Sequence, residues 1–376
     1  MAGVWALEPT AAHPEVCLMK TLLRSIALCL SLPLFGVACS KTKAETTAET
    51  GEKASAAPAS ASGADVAAPP APQGPPLKVA YSDWPGWVAW EIAIQKGWFK
   101  EAGVPIEFKW FEYVPSMEAY SAGKVDAVSM TNGDALVTGS TGGKSVCIIA
   151  NDYSNGNDMI IAKPGIKSIA ELKGKKVGVE VGFVSHLLLL YALKSANLTE
   201  KDVKLVKVPT DQTPQALKSG QVDAIAAWQP SSGQALKEVA GSTALFTSKD
   251  VPGLIYDHLC VNPKSLAERR ADWVKVAQVW LKVADFLADP KNAAEASKIM
   301  SARVGLTPEA YAELMGGTHY LGKEGNQKHF AKGDGLDSIF GSSKIVDEFN
   351  VKNEVYKTPM KIEEYFDPSV MAEASK

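Results

Sequence analysis

The chain has 376 residues, of which 46% are hydrophobic and 22% charged, and its 42 acidic and 39 basic side chains leave a formal net charge of −3. That length is enough for a sizeable core and for division into two lobes. The near-neutral balance, with no basic block interleaved with aromatics, excludes a nucleic-acid partner.

Residues 1–18 have no signal character and precede a second Met, so Met19 reads as the start and 1–18 as an upstream extension. Met19–Arg24 is short and basic, Ser25–Val37 is apolar, and the run closes on Ala38 and Cys39. This is a secretory signal, too short for a comfortable membrane span. Small residues before a Cys mark lipoprotein processing, with Cys39 as the acylated mature N-terminus, although Gly36 stands where Leu is usual. The expectation is a signal segment over 1–38 and an extracytoplasmic protein, in the periplasm or on the outer cell surface. It would touch the membrane through its lipid anchor alone. Residues 39–76 are mostly Ala, Pro, Ser, Thr, Glu and Lys, with almost nothing to bury. They read as a disordered tether with a reach on the order of 30–35 Å.

From Leu77 onward strands and helices alternate. Leu77–Ser82 reads as a strand, followed by Asp83-Trp-Pro-Gly-Trp87 and a helix running to Lys96. Further strands are expected at Ile106–Phe111, Val125–Met130, Val146–Ala150, Met159–Ala162, Val177–Val181, Val203–Val208, Ala224–Trp228 and Leu254–Val261. Helices are expected at Ser116–Ala122, Ala135–Gly139, Ser185–Ser195, from Thr213 (as N-cap) and Pro214, and through most of the C-terminal part, including Trp273–Leu287 and Ala293–Val304. A βαβα order with late helices is α/β. Cys147 and Cys260 sit in apolar strand-like runs and read as buried thiols. A disulfide between them is the alternative.

Two segments 97 positions apart echo each other, Ala122-Gly-Lys-Val-Asp-Ala-Val128 and Ser219-Gly-Gln-Val-Asp-Ala-Ile225. In each, Gly123 or Gly220 stops a helix before a buried strand, which is the helix-to-strand link of a parallel sheet. Asp126 and Asp223 read as structural residues at the strand starts. The repeat points to two similar lobes, each offering a strand-end loop to something held between them.

These echoes, the run Ile166–Val179 (IKSIAELKGKKVGV), and Trp84-Pro-Gly-Trp87 followed by Gly97-Trp-Phe-Lys-Glu-Ala-Gly103 resemble extracytoplasmic solute-binding proteins. The likeness is to the nitrate/sulfonate/taurine branch that serves ABC importers, and it extends over essentially all of Leu77–Lys376. It implies a periplasmic-binding-protein type II-like fold, two α/β lobes joined by two crossover strands near Asp158–Ala162 and Ile255–Asn262. The first lobe would comprise 77–163 plus 262–376 and the second 164–250, with 251–261 as the return hinge segment. It also implies a monomer that delivers a small solute to a permease and its ATPase subunits, with no cofactor and no metal.

Ligands of open α/β sheets lie beyond the strand ends, where helix N-termini expose backbone N–H groups. The loops there nominate Asp83, Trp84, Trp87, Thr131, Asn132, Asp134, Glu180, Phe183, Ser185, Trp228 and Gln229 as ligand-binding residues. Together with Asp152, Asp158 and Asp211, these loops hold six carboxylates and no Lys or Arg. Oxyanion pockets want cationic donors or converging N–H groups, whereas carboxylates beside aromatic faces suit an amine, amidine, guanidinium or nitrogen heterocycle. The balance favours a nitrogenous, cationic or neutral solute, with nitrate, a sulfonate or taurine as the alternative. Asp134 and Asp211 could instead cap the following helices. Many relatives carry an acid where Gln229 stands. Trp98, Phe99, Trp110, Trp273 and Trp280 have the spacing of packing residues.

Catalytic readings find little support. Gly139–Ser145 is one residue short of a phosphate loop and follows a helix instead of a strand. His186, His258, His319 and His329 have no metal-ligand spacing, and Asp334-Gly-Leu-Asp337 lacks the alternating oxygens of a calcium loop. Of the other classes, an enzyme on the same fold, either a lyase or a pyrimidine-precursor synthase, would need a cytoplasmic location. The synthases would also need a Cys-rich segment and a Lys cofactor site. A ligand-sensing adaptor is the remaining option.

Overall fold

The computed structural model describes residues 74–376; the signal segment, Cys39 and the tether as far as residue 73 lie outside the described residues. In chain order the strands are β1 (Leu77–Tyr81), β2 (Ile106–Trp110), β3 (Ala127–Thr131), β4 (Val146–Ser154), β5 (Met159–Ala162), β6 (Lys176–Val179), β7 (Lys204–Lys207), β8 (Ala224–Ala227), β9 (Thr243–Thr247), β10 (Tyr256–Val261) and β11 (Thr318–Tyr320). They form a 6-stranded sheet ordered β11-β4-β10-β3-β1-β2 and a 5-stranded sheet ordered β7-β6-β8-β5-β9. The chain leaves the first sheet after β4, enters the second at β5 through residues 155–158, and returns from β9 to β10 through 248–255. The first lobe is therefore assembled from both ends of the described chain and the second from its middle.

The sequence echo is a structural one. In one lobe β1 lies parallel between β2 and β3, and in the other β6 lies parallel between β7 and β8. Asp126 accepts a hydrogen bond from the Lys78 backbone N–H at 2.8 Å, and Asp223 accepts the same bond from Lys176 at 2.9 Å. Gly123 and Gly220 take φ of 68° and 76°, a left-handed conformation open to Gly at no steric cost. Each Asp thus ties the start of one repeat strand to its parallel neighbour.

The core occupies three zones. One cluster, with Trp273, Trp280, Trp90 and Tyr311, packs the outer face of the first sheet beneath the helix Arg270–Ala288. A small one, with Ile161, Leu217 and Ile225, lies in the second lobe. The largest is continuous between the lobes and includes Trp84, Trp87, Leu136, Ile160, Leu188 and Trp228. Packing aromatics behave as expected: Trp98, Phe99, Trp273 and Trp280 are buried, and the Arg303 guanidinium lies 4.3 Å over Trp110.

Several elements differ from the sequence reading. The helix expected to run to Lys96 is broken at Ala89 into Pro85–Val88 and Trp90–Gln95. β4 continues through Asn151, Asp152 and Tyr153 because β10 and β11 both pair with that polar end. β9 and β11 were not anticipated, since neither is a marked apolar run. Thr213 is the first residue of its helix and not the cap, and its hydroxyl donates to the Thr210 carbonyl at 2.7 Å. Cys147 and Cys260 are a disulfide and not free thiols, because the β4–β10 register sets them opposite each other.

Candidate functional site

Three strand-to-helix junctions meet between the lobes. β1 ends in Asp83 and Trp84, and Pro85 at the first turn of Pro85–Val88 fixes the entry that carries Trp87. β3 ends at Thr131, whose side chain caps the helix Asn132–Ser140 by accepting from Asp134 N–H at 3.0 Å. β8 runs into Trp228 from the opposite lobe. Trp84, Trp87 and Trp228, each at most 4% exposed, lie with ring centroids 6.2–6.4 Å apart. Tyr113 completes the box, stacked on Trp87 at 5.1 Å and edge-on to Trp228 at 5.7 Å.

Inside the box is a small cavity of about 10 Å³, lined by the four rings, Thr131, Val184, Ile255, Asp158 and Asp257. Asp158 Oδ2 and the indole Nε1 atoms of Trp87 and Trp228 are buried without a hydrogen-bond partner in the protein, whereas the Asp257 carboxyl shares a hydrogen bond with Asp152. Burial pushes the Asp158 carboxyl up to about 7. Asp257 is held well above the usual range by burial and by Asp152, its opposite number across β4 and β10. Burial likewise raises Asp152 to about 7, against the Trp84 indole that donates to it at 3.0 Å.

Outside the box is a cavity of about 470 Å³ that shares Tyr113 and Trp228 with it. The first lobe contributes Asp83, Glu112 and Glu118 to its lining; the second contributes Glu180, Phe183, Thr210, Asp211 and Lys207. Asp83 is raised to about 7 by burial and by repulsion from Glu112, Asp211 and Glu180. Glu180 is raised to about 7 by burial first, with Asp134 and Asp211 adding to it, and it accepts from Thr210 Oγ1 at 3.2 Å. Like charges thus face one another from opposite lobes. The described residues contain no group of three or more His, Cys, Asp or Glu placed to hold a metal ion.

Of the residues nominated from sequence, Asp83, Glu180, Phe183 and Trp228 line the outer cavity, and Trp84, Trp87, Thr131 and Trp228 the inner one. Asp134 does not cap its helix and lines neither cavity. It accepts from Tyr113 Oη at 2.6 Å and from Val184 N–H at 3.2 Å, joining the first lobe to the N-terminus of the second-lobe helix Val184–Ser195, where an acid is favoured. Burial raises it to about 6 against those bonds. Asn132 is turned away: its amide donates to Ser342 and Ser343 and accepts from Tyr256 N–H. Gln229 is engaged within its own turn, accepting from Gly233 N–H at 3.1 Å. Ser185 is buried, and neither cavity has it in its lining. Tyr113, Glu112 and Asp257 were missed. The strand-end rule applied to β2 would have found the first two, and a lone carboxylate in the apolar run of β10 was the available signal for the third.

Two α/β lobes around such a cleft form the architecture of periplasmic solute-binding proteins. The alkanesulfonate-binding protein SsuA from Xanthomonas axonopodis pv. citri, solved bound to MOPS, matches with a TM-score of 0.66 at 16% identity, over 80% of this chain and 99% of that one. The chain belongs to the NMT1-like family, whose model matches residues 70–301. A candidate binding protein of Brucella abortus (strain 2308) is 32% identical over 177 residues, which is 46% of this chain and 54% of that protein. A candidate ABC transporter periplasmic binding protein of Brachyspira hyodysenteriae is 31% identical over 127 residues, 34% of this chain and 36% of it. The chain therefore spans about half or less of the length of these curated relatives. The fold also carries an enzyme: the desulfurization enzyme DSZB matches with a TM-score of 0.57 at 13% identity, over 80% of this chain and 99% of that one.

Proposed function

We propose that this protein is the lipid-anchored, extracytoplasmic solute-binding component of an ABC importer, holding a small nitrogenous, cationic or neutral polar compound between its lobes and passing it to the permease. The observation that carries the solute class is the outer cavity, where Asp83 and Glu112 of one lobe oppose Glu180 and Asp211 of the other and Lys207 is the single cationic lining residue. Contacts from both lobes to one guest favour the closed arrangement, the form a transporter would recognise. A cation between the two acidic lips offsets their repulsion, whereas an oxyanion would add to it. The names of the sulfonate-binding neighbours favour an oxyanion; the lining chemistry of this chain favours the opposite charge.

The enzyme reading has less behind it. The lining of the two compartments contains no Ser, Cys or His; its polar residues are carboxylates, two threonines, a glutamine, a lysine and the aromatics. Cys147 and Cys260 are joined to each other, so neither is available as a thiolate.

The test is a thermal-shift and calorimetric screen of the purified protein against amines, guanidines, nitrogen heterocycles and oxyanions, since a ligand that prefers the native state raises its stability. Saturable binding confined to oxyanions overturns the proposed solute class. Loss of uptake on deletion distinguishes an importer component from a sensing adaptor, and release of a Cys39→Ser variant from the membrane fraction tests the anchor.

A further inference from the structure

The two compartments make different chemical demands. The outer one combines facing carboxylates with the aromatic surfaces of Tyr113, Phe183 and Trp228, which is the setting of a cation. The inner one, at about 10 Å³, has space for about one water-sized group. Trp87 and Tyr113 lie on each other at 5.1 Å with an angle of 25° between their planes, so no flat ring enters between them. The orphaned atoms at its wall are of both kinds. Trp87 and Trp228 offer N–H donors, while Asp158 offers a carboxyl oxygen, and all three residues are at least nine-tenths buried. A second ammonium would satisfy the carboxyl and leave both indoles unpaired, and a buried donor without a partner carries its full desolvation penalty. A hydroxyl donates to a carboxyl and accepts from an indole.

Resting on the reading of the cleft as a site for a nitrogenous solute, we infer that the ligand is an amino alcohol: a cationic nitrogen held between the two acidic lips, with a hydroxyl-bearing arm passing Tyr113 and Trp228 into the aromatic box. Tyr113 and Trp228 belong to both linings, so the inner compartment adjoins the outer one across these two rings. Specificity then comes from the inner end, because leaving the buried donors and acceptors unmatched is what penalises an analogue without the hydroxyl.

The experiment compares, by calorimetry on the purified protein, three matched series of two to six carbons: amino alcohols, n-alkylamines and α,ω-diamines. The expected result is at least tenfold tighter binding of the best amino alcohol than of the alkylamine and the diamine of equal length. Trp87→Phe and Trp228→Phe keep the ring and remove the N–H. Each should erase that preference, costing the amino alcohol about tenfold more affinity than the alkylamine of equal length, an outcome that mere loss of packing would not give. Equal binding of amino alcohol and alkylamine, tighter binding of the diamine, or a preference that survives both Phe variants overturns the inference and leaves the solute class standing. Absence of saturable binding by all three series overturns the inference. If oxyanions bind in the same experiment, the reading it rests on falls too.

Discussion

Asp158→Asn should make the protein more stable and less able to bind. Asp158 is 3% exposed and holds its carboxyl up near 7 through burial. Below about pH 4 the group is protonated in the folded and unfolded chains alike, and it has no effect on stability. Between about pH 4 and 7 the unfolded chain releases this proton while the folded chain keeps it, so stability falls as pH rises through that window. Above the folded value the loss is complete. A rise from 3.8 to about 7 corresponds to about 4 kcal/mol at most, and relaxation around the site brings the expected figure to about 2–4 kcal/mol. Urea denaturation of wild type and variant at pH 4.5, 5.5, 6.5 and 7.5 isolates this contribution, because the other raised acids are common to both. The two stability profiles should lie closest at pH 4.5, where about a quarter of the effect is already present, and separate by about 2–4 kcal/mol at the highest. Parallel profiles would refute the reasoning. The same variant should bind an amino alcohol more weakly relative to the alkylamine of equal length, the opposition of stability and function expected of a site kept for its ligand.

Trp228→Ala should weaken ligand binding by about 1–3 kcal/mol, because this ring borders both compartments; titration by intrinsic fluorescence or calorimetry checks it. Gly86→Ala should abolish soluble expression or binding: a Cβ there would stand 1.7 Å from Asp152 Oδ2, and the carboxylate pinned by Trp84 has no nearby place to go. Opening the disulfide, by Cys147→Ala with Cys260→Ala, removes a link across 113 residues of sequence. Chain entropy assigns that loop about 5 kcal/mol, read as a lower urea midpoint than that of the oxidised protein. Ligand affinity should stay within about threefold, since neither Cys lines a compartment.

What could be read from the sequence followed a rule about backbone and failed where side-chain direction decides. Val-Asp-Ala after a helix-stopping Gly marked both repeat strands because the motif has one structural role, tying Lys78 and Lys176 to their neighbours. Trp84, Trp87 and Trp228 were legible as bulky apolar groups at strand ends, where a loop has no other reason to hold them. Asn132 and Gln229 stand beside them in the chain, yet their amides turn to Ser342, Ser343 and Gly233, a choice made by partners more than 200 residues away in one case and four in the other. Asp257 was hidden because strand alternation near a hinge places one face against the core and the other against the cleft, and β10 is buried on both. Sequence periodicity does not tell those faces apart.

The staple between β4 and β10 has a mechanical meaning. Cys147 lies at the start of β4 and Cys260 near the finish of β10, whereas both connections to the second lobe depart from the other end of this strand pair, about 23 Å along β4 and about 13 Å along β10 at ordinary strand rise. The bond therefore stitches the spine of the molecule at its far edge, where nothing has to bend. Residues 155–158 and 248–255, which carry the chain between the two sheets, lie away from this bond, so the covalent link fixes the strand pair without crossing either connection.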